Sequence, residues 1–241
     1  MLPTPPAGFP ARIAVSPATA VRWLLLGSLA LLACNLVVQI SRHVLGRPNL
    51  RGFAAVFDLN GEGNVPALFA TLLLLGAAVL LALIASLTRR RGAPFSPHWR
   101  ALAVIFVYLA VDETAQLHEK IGLNASELID THGVPSFYVW VLPFGVFVAI
   151  FALVYLPFVR ALAPRLRRIV VGAGSLYVGA ALGLEVIDAA YTRAFGFANL
   201  THALLYSLEE VAEMWGVILF IYGLLCWLGE ARAELDVRFS G

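Results

Sequence analysis

Long apolar runs alternate along the chain with short connectors that carry most of its arginines, acids and turn residues. A helix needs roughly 20 mainly apolar residues to cross a hydrocarbon core, and runs of that order recur at residues 21–40, 65–87, 99–121, 137–159, 169–191 and 203–228. The pattern predicts an all-α fold: a polytopic transmembrane helical bundle of six spans, with a seventh admissible and no internal repeat. Residues 1–20, rich in Pro and Ala, are expected to lie loose in the cytoplasm. Residues 21–228 form one transmembrane domain, and residues 229–241 a charged cytoplasmic tail.

The third run differs from the rest. Its uncharged part, residues 101–111, is too short to span alone, so a crossing helix must take in Asp112 and Glu113. Counted from Trp99 at about 1.5 Å per residue, these acids lie roughly 20 Å along a core about 30 Å thick. Ionisable residues at such depth are costly and mark function. Elsewhere the punctuation is conventional. Asn64 suits the N-cap of the second span and Pro66 its first turn, where a missing N–H costs nothing. Pro143 predicts a kink in the fourth. The connector at residues 42–64 is long, which predicts a functional loop or a short interfacial element.

Composition agrees with this picture: 60% of the 241 residues are hydrophobic and only 13% charged, and the mean hydropathy is +0.84, so the lipid bilayer is the expected partner. The net charge of +2 carries little information, because what matters is where each sign sits. Arg89, Arg90, Arg91, Arg100, Arg160, Arg165, Arg167 and Arg168 crowd the connectors after the second and fourth runs. The positive-inside rule then puts both termini in the cytoplasm, and a bacterial inner membrane is the expected setting. No basic segment precedes an apolar core at the start, so no cleaved signal peptide is expected. Cys34 and Cys226 lack metal-ligand or redox spacing and behave as small hydrophobes. Nucleic acid is excluded as a partner by the lack of a basic face with interleaved aromatics.

In that orientation the acids gather in the outer half. Asp112, Glu185 and Glu209 come to one level, roughly 10 Å below the outer face, with Glu213 near the midplane. Like charges at that density require raised pKa values or a cation among them. On the sixth span Glu209 and Glu213 are i, i+4 and Glu210 and Glu213 i, i+3, so these acids can chelate one ion. Glu119, Glu209, Glu210 and Glu213 are therefore the candidate metal ligands, and Asp112, Glu113 and His118 the candidate catalytic groups. Gln116, Glu185 and Asp188 support them. A regular helix cannot turn Asp112, Glu113, Gln116, His118 and Glu119 all inward, so either the helix loosens before Gly122 or some of them act through the others. Asp58, Asn60, Glu62 and Gly63 imitate a calcium loop, but its twelfth position is Phe69, where a bidentate Glu is needed. A turn capping the second span is expected instead, with Asp58, Asn60, Glu62 and Asn64 as supporting oxygens. His43, His132 and His202 are weaker candidates, and His98 belongs to the other side.

The segments DLNGEGNVP, VDETAQLHEK and EEVAEMWG together resemble a group of uncharacterised bacterial multi-span inner-membrane proteins. The chain is also loosely similar to the alkaline ceramidase-type membrane hydrolases, which implies a zinc hydrolase, although Glu210 and Glu213 stand where that family's paired histidines would be wanted. The function expected from the residues is that of a divalent-metal-dependent membrane enzyme (Mg, Ca, Mn, Fe or Zn) acting on a small or lipid-like substrate. A cation- or proton-coupled transporter and a structural or sensor protein are the alternatives.

Overall fold

A computed structural model of the chain describes residues 16–117, 120–121 and 141–231, and the regular structure among them is helical throughout. The first helix, α1, covers Pro17–His43, with the Ser16 hydroxyl accepting from the Thr19 N–H at 3.4 Å. Residues 17–20, expected in the loose leader, thus belong to the helix, because Ser16 caps it and Pro17 presets its first turn. The long connector holds a short element, as expected: a 3₁₀ turn at Leu50–Gly52 followed by α2, Phe53–Phe57. Helix α3, Val65–Arg90, starts on Asn64, whose side chain accepts from the Ala67 N–H at 3.1 Å, and has Pro66 in its first turn.

Helix α4 covers Ser96–Ala115 and does not run to residue 121. It ends where Gln116 turns left-handed, φ +53°, and donates its N–H to the Asp112 carbonyl at 2.7 Å. The loosening thus falls directly after the acidic pair. Helix α5 covers Val141–Ala161; Pro143 lies where this described helix begins, and residues 137–140 of the expected span are outside the described set. The fifth run is one rod, α6 at Pro164–Val178 joined to α7 at Glu185–Phe195 through a π-helical turn, Gly179–Leu184. A uniform α-helix was expected there. Helix α8, Leu200–Glu230, is capped by Asn199, which accepts from the His202 N–H at 3.0 Å. Glu230, expected in the tail, is its last residue and pairs with Arg165 at 3.3 Å on the exposed surface.

Five of these elements are long and apolar enough to cross a membrane: α1, α3, α5, the α6–α7 rod and α8. They mark the chain as a membrane protein. Helix α4 is not among them, because Arg100 at one end and Asp112 and Glu113 at the other bracket its apolar stretch. Helix α8 is the most buried of the five and packs against α1, α3 and α6. Close approach to α6 depends on Gly216, where an added Cβ would stand 2.9 Å from the Tyr177 backbone nitrogen and 3.1 Å from the Ala173 carbonyl oxygen. Small residues at such crossings let backbones meet inside a bilayer. Helix α4 packs along α3 and meets α5 through an aromatic clasp. Trp99 sits edge-on to Phe158 at 4.8 Å, His98 stacks on Phe158 at 5.5 Å, and the Tyr155 hydroxyl donates to the His98 carbonyl at 3.2 Å.

Candidate functional site

The connector loop closes onto α1 through a polar stripe on that helix. Ser28, Asn35 and Gln39 are completely buried, and with Arg42 they follow heptad-like spacing along one face. Asn35 donates to the Ser207 hydroxyl of α8 at 2.7 Å and accepts from the Leu59 N–H at 3.1 Å and from Gln39 at 3.0 Å. Asp58 receives the Arg42 guanidinium at 2.8 Å, Gln39 at 3.1 Å, the Tyr206 hydroxyl at 3.2 Å and the Asn60 N–H at 3.3 Å. The Asp58 carbonyl accepts from the Gly61 N–H at 3.0 Å and from the Asn64 side chain at 2.7 Å. DLNGEGN is therefore a folded turn that caps α3, and Asp58 and Asn64 are engaged in building it. A buried polar group costs about 1–3 kcal/mol when its partner is removed, which is why this stripe is closed so fully.

Beyond the turn lies a cavity of about 1210 Å³ among α4, α5, the α6–α7 rod and α8. Apolar side chains of α4, α5 and α6 make most of its wall, including Phe106, Phe147, Phe151 and Val170. The polar part is acidic. Asn60 and Glu62 reach it from the turn, Asp112 and Glu113 from the last turn of α4, Glu185 and Asp188 from α7, and Glu209, Glu210 and Glu213 from α8. Among the described residues no Lys or Arg lines it.

Within this set the contacts are specific. Glu209 lies beside Glu185, and Glu213 beside Tyr177. Glu210 lies within electrostatic reach of Glu62, Glu113, Glu185 and Glu213, and Glu213 within reach of Asp112, Glu113 and Glu185. The π turn sets this register: it adds a residue between Tyr177 and Glu185, so that both face α8, and such turns recur at functional sites. Asp112 and Glu209 are buried despite lining the cavity. Two carboxyls side by side hold a proton or a cation between them, since two bare charges repel.

Of the expected site, then, the turn, α4, α7 and α8 members Asn60, Glu62, Asp112, Glu113, Glu185, Asp188, Glu209, Glu210 and Glu213 share one cavity wall. Gln116 is instead the left-handed residue that ends α4. His118, Glu119 and His132 lie outside the described residues. Among the described residues no three His, Cys, Asp or Glu side chains stand arranged to hold a metal ion. The donor chemistry nevertheless suits a hard cation, being all oxygen without thiolate.

Sequence reasoning passed over Asn35, Gln39, Arg42, Tyr177 and Tyr206. Asn35, Gln39 and Arg42, spaced i, i+4 and i, i+3 in an apolar helix, were a visible signal for the first three. It also undervalued His202, whose Nδ1 lies 2.8 Å from Asp188 Oδ1.

Residues 23–228 match the family model described as Domain of unknown function (DUF8692). No curated protein and no solved structure matches the chain. The similarity to alkaline ceramidase-type hydrolases has no counterpart in these matches.

Proposed function

The chain belongs to the domain family described as Domain of unknown function (DUF8692), and we propose that it is an integral membrane enzyme that takes an amphipathic, lipid-like substrate into this cavity. One observation carries the proposal: a large apolar cavity whose polar wall, among the described residues, is mainly carboxylates from four elements and holds no Lys or Arg. Apolar cavities with a few convergent polar groups are the usual form of small-molecule sites. Here the apolar walls suit hydrocarbon, and the acidic wall suits whatever brings positive charge.

In this account α4 crosses as a sixth span and both termini face the cytoplasm of a bacterial inner membrane, so that the acidic wall lies in the outer half of the bilayer. Glu209, Glu210 and Glu213 would supply oxygen ligands to a divalent ion, although they would have to turn toward a common point to do so; Asp112 and Glu113 would serve the reacting group, and Glu119 and His118, outside the described residues, stay the further ligand and catalytic candidates named from the sequence. Such an ion supplies Lewis-acid polarisation of a substrate oxygen and activation of water. The chain's own groups do the rest. Tyr177 stands beside the Glu213 carboxyl, the turn at Asp58–Asn64 holds Glu62 toward the cavity, and the aromatic wall would favour hydrocarbon over water in the apolar part. Elemental analysis of the protein purified in mild detergent tests the ion: a stoichiometric divalent metal is expected.

A second reading, a proton-coupled transporter, draws support from the paired carboxyls Glu185 and Glu209 and from the π turn beside them. In that case protons alone occupy the pairs, and metal is absent from the purified protein.

A further inference from the structure

Asp188 and His202 face each other where α7 and α8 meet. The Nδ1 to Oδ1 distance is 2.8 Å, and the side chains are only 13% exposed for His202 and 4% for Asp188. Two rings stand edge-on to the imidazole, Phe197 at 5.5 Å and Tyr206 at 5.2 Å. The backbone around it is equally fixed. Asn199 accepts from the His202 N–H at 3.0 Å and from the Tyr191 hydroxyl at 3.0 Å, and donates to the Gly196 carbonyl at 2.7 Å. Both members of the pair line the cavity.

A carboxylate accepts and cannot donate, so the proton in this contact resides on Nδ1, and Nε2 is left as the nitrogen with the lone pair. An imidazole whose tautomer and orientation are set by a carboxylate at Nδ1 is one arrangement in which histidine acts as a base. We propose that His202, oriented by Asp188, is the general base of the cavity. Its Nε2 takes the proton from a water: the O–H bond breaks, the Nε2–H bond forms, and the freed electron pair bonds to the electrophilic carbon or phosphorus of the bound amphiphile as that atom's bond to its leaving oxygen or nitrogen breaks. Asp188 balances the imidazolium until the proton passes from Nε2 to the leaving atom. The charged and titratable neighbours are Glu185 on the same helix as Asp188, Tyr206 and Glu209 on the His202 helix, and Asp58 with Arg42, which reach the ring through the Tyr206 hydroxyl.

This inference rests on the enzyme reading but is tested apart from it. The full-length protein, labelled with ¹⁵N at histidine and held in lipid nanodiscs, gives a His202 signal assigned by its loss in His202→Gln. A single tautomer is expected, Nδ1 protonated and Nε2 bare, with the one-bond proton coupling at Nδ1 alone. In Asp188→Asn the two tautomers should mix. Diethyl pyrocarbonate should modify His202 at Nε2 in the wild type, which a sealed structural histidine would resist. An Nε2–H tautomer, or a ring that does not react, overturns the proposal and leaves the pair as a pin between helices. If the pair behaves as expected but no divalent ion binds at Glu213, the enzyme reading fails and His202 remains a proton carrier.

Discussion

Arg42 at the end of α1 and Asp58 in the α2–α3 turn are joined at 2.8 Å, and Asp58 is the more buried partner, 14% exposed against 33%. This contact ties the turn that carries Glu62 to the first helix. Removing the guanidinium with Arg42→Met leaves a mostly buried carboxylate with only neutral donors. The cost should be about 1–3 kcal/mol, below the 3–5 kcal/mol of a fully buried pair because Arg42 is partly solvated. Thermal unfolding in detergent should show that loss, and Arg42→Met with Asp58→Asn should recover part of it.

Gly216 lies against α6 with no room for a side chain. Gly216→Ala requires the backbones of α6 and α8 to part and should cost about 1–3 kcal/mol, shifting Tyr177 and Glu213 with them. Gly76 of α3 has nothing within 4 Å of an added Cβ, so Gly76→Ala should be neutral or stabilising by up to about 1 kcal/mol through helix propensity. Melting temperatures of the two variants side by side check the contrast.

The helices were legible, and so was a start marked by a local cap that was recognised: Asn64 and Pro66 announce α3 from the sequence alone, whereas Ser16 and Pro17, which begin α1 four residues earlier than expected, were passed over. Equally legible was that acids from separate helices would come together, and Asp112, Glu185, Glu209 and Glu213 do line one cavity. Rotation about the helix axis was not legible. That Gln116 ends α4, that a π turn lies before Glu185, and that Tyr177 stands beside Glu213 all depend on how neighbouring helices pack, which no single-helix count contains. The polar stripe of α1 was overlooked for a different reason. Attention went to charge, and Asn35 and Gln39 carry none, although an uncharged amide buried in an apolar helix needs a partner just as firmly.

The distribution of arginine makes a topological prediction. In a cysteine-free background, Arg90→Cys at the end of α3 should be labelled by impermeant thiol reagents only after the membrane is opened. Arg193→Cys near the end of α7 should be labelled from outside in intact cells. Labelling of position 90 from outside would reverse the orientation and move the acidic wall to the cytoplasmic half.

Glu213→Gln tests the divalent-ion site most directly, because it keeps the shape of the side chain while removing the charge. A bound ion stabilises the native state by mass action, by about 2.7 kcal/mol when its free concentration is 100 times Kd. Titrating Mn²⁺, Mg²⁺ or Ca²⁺ into the purified wild type should therefore raise its melting temperature in a saturable way, while Glu213→Gln should stay flat and Glu230→Gln, changed on the exposed surface, should follow the wild type. An equal response of wild type and Glu213→Gln, or no response from either, would contradict the site.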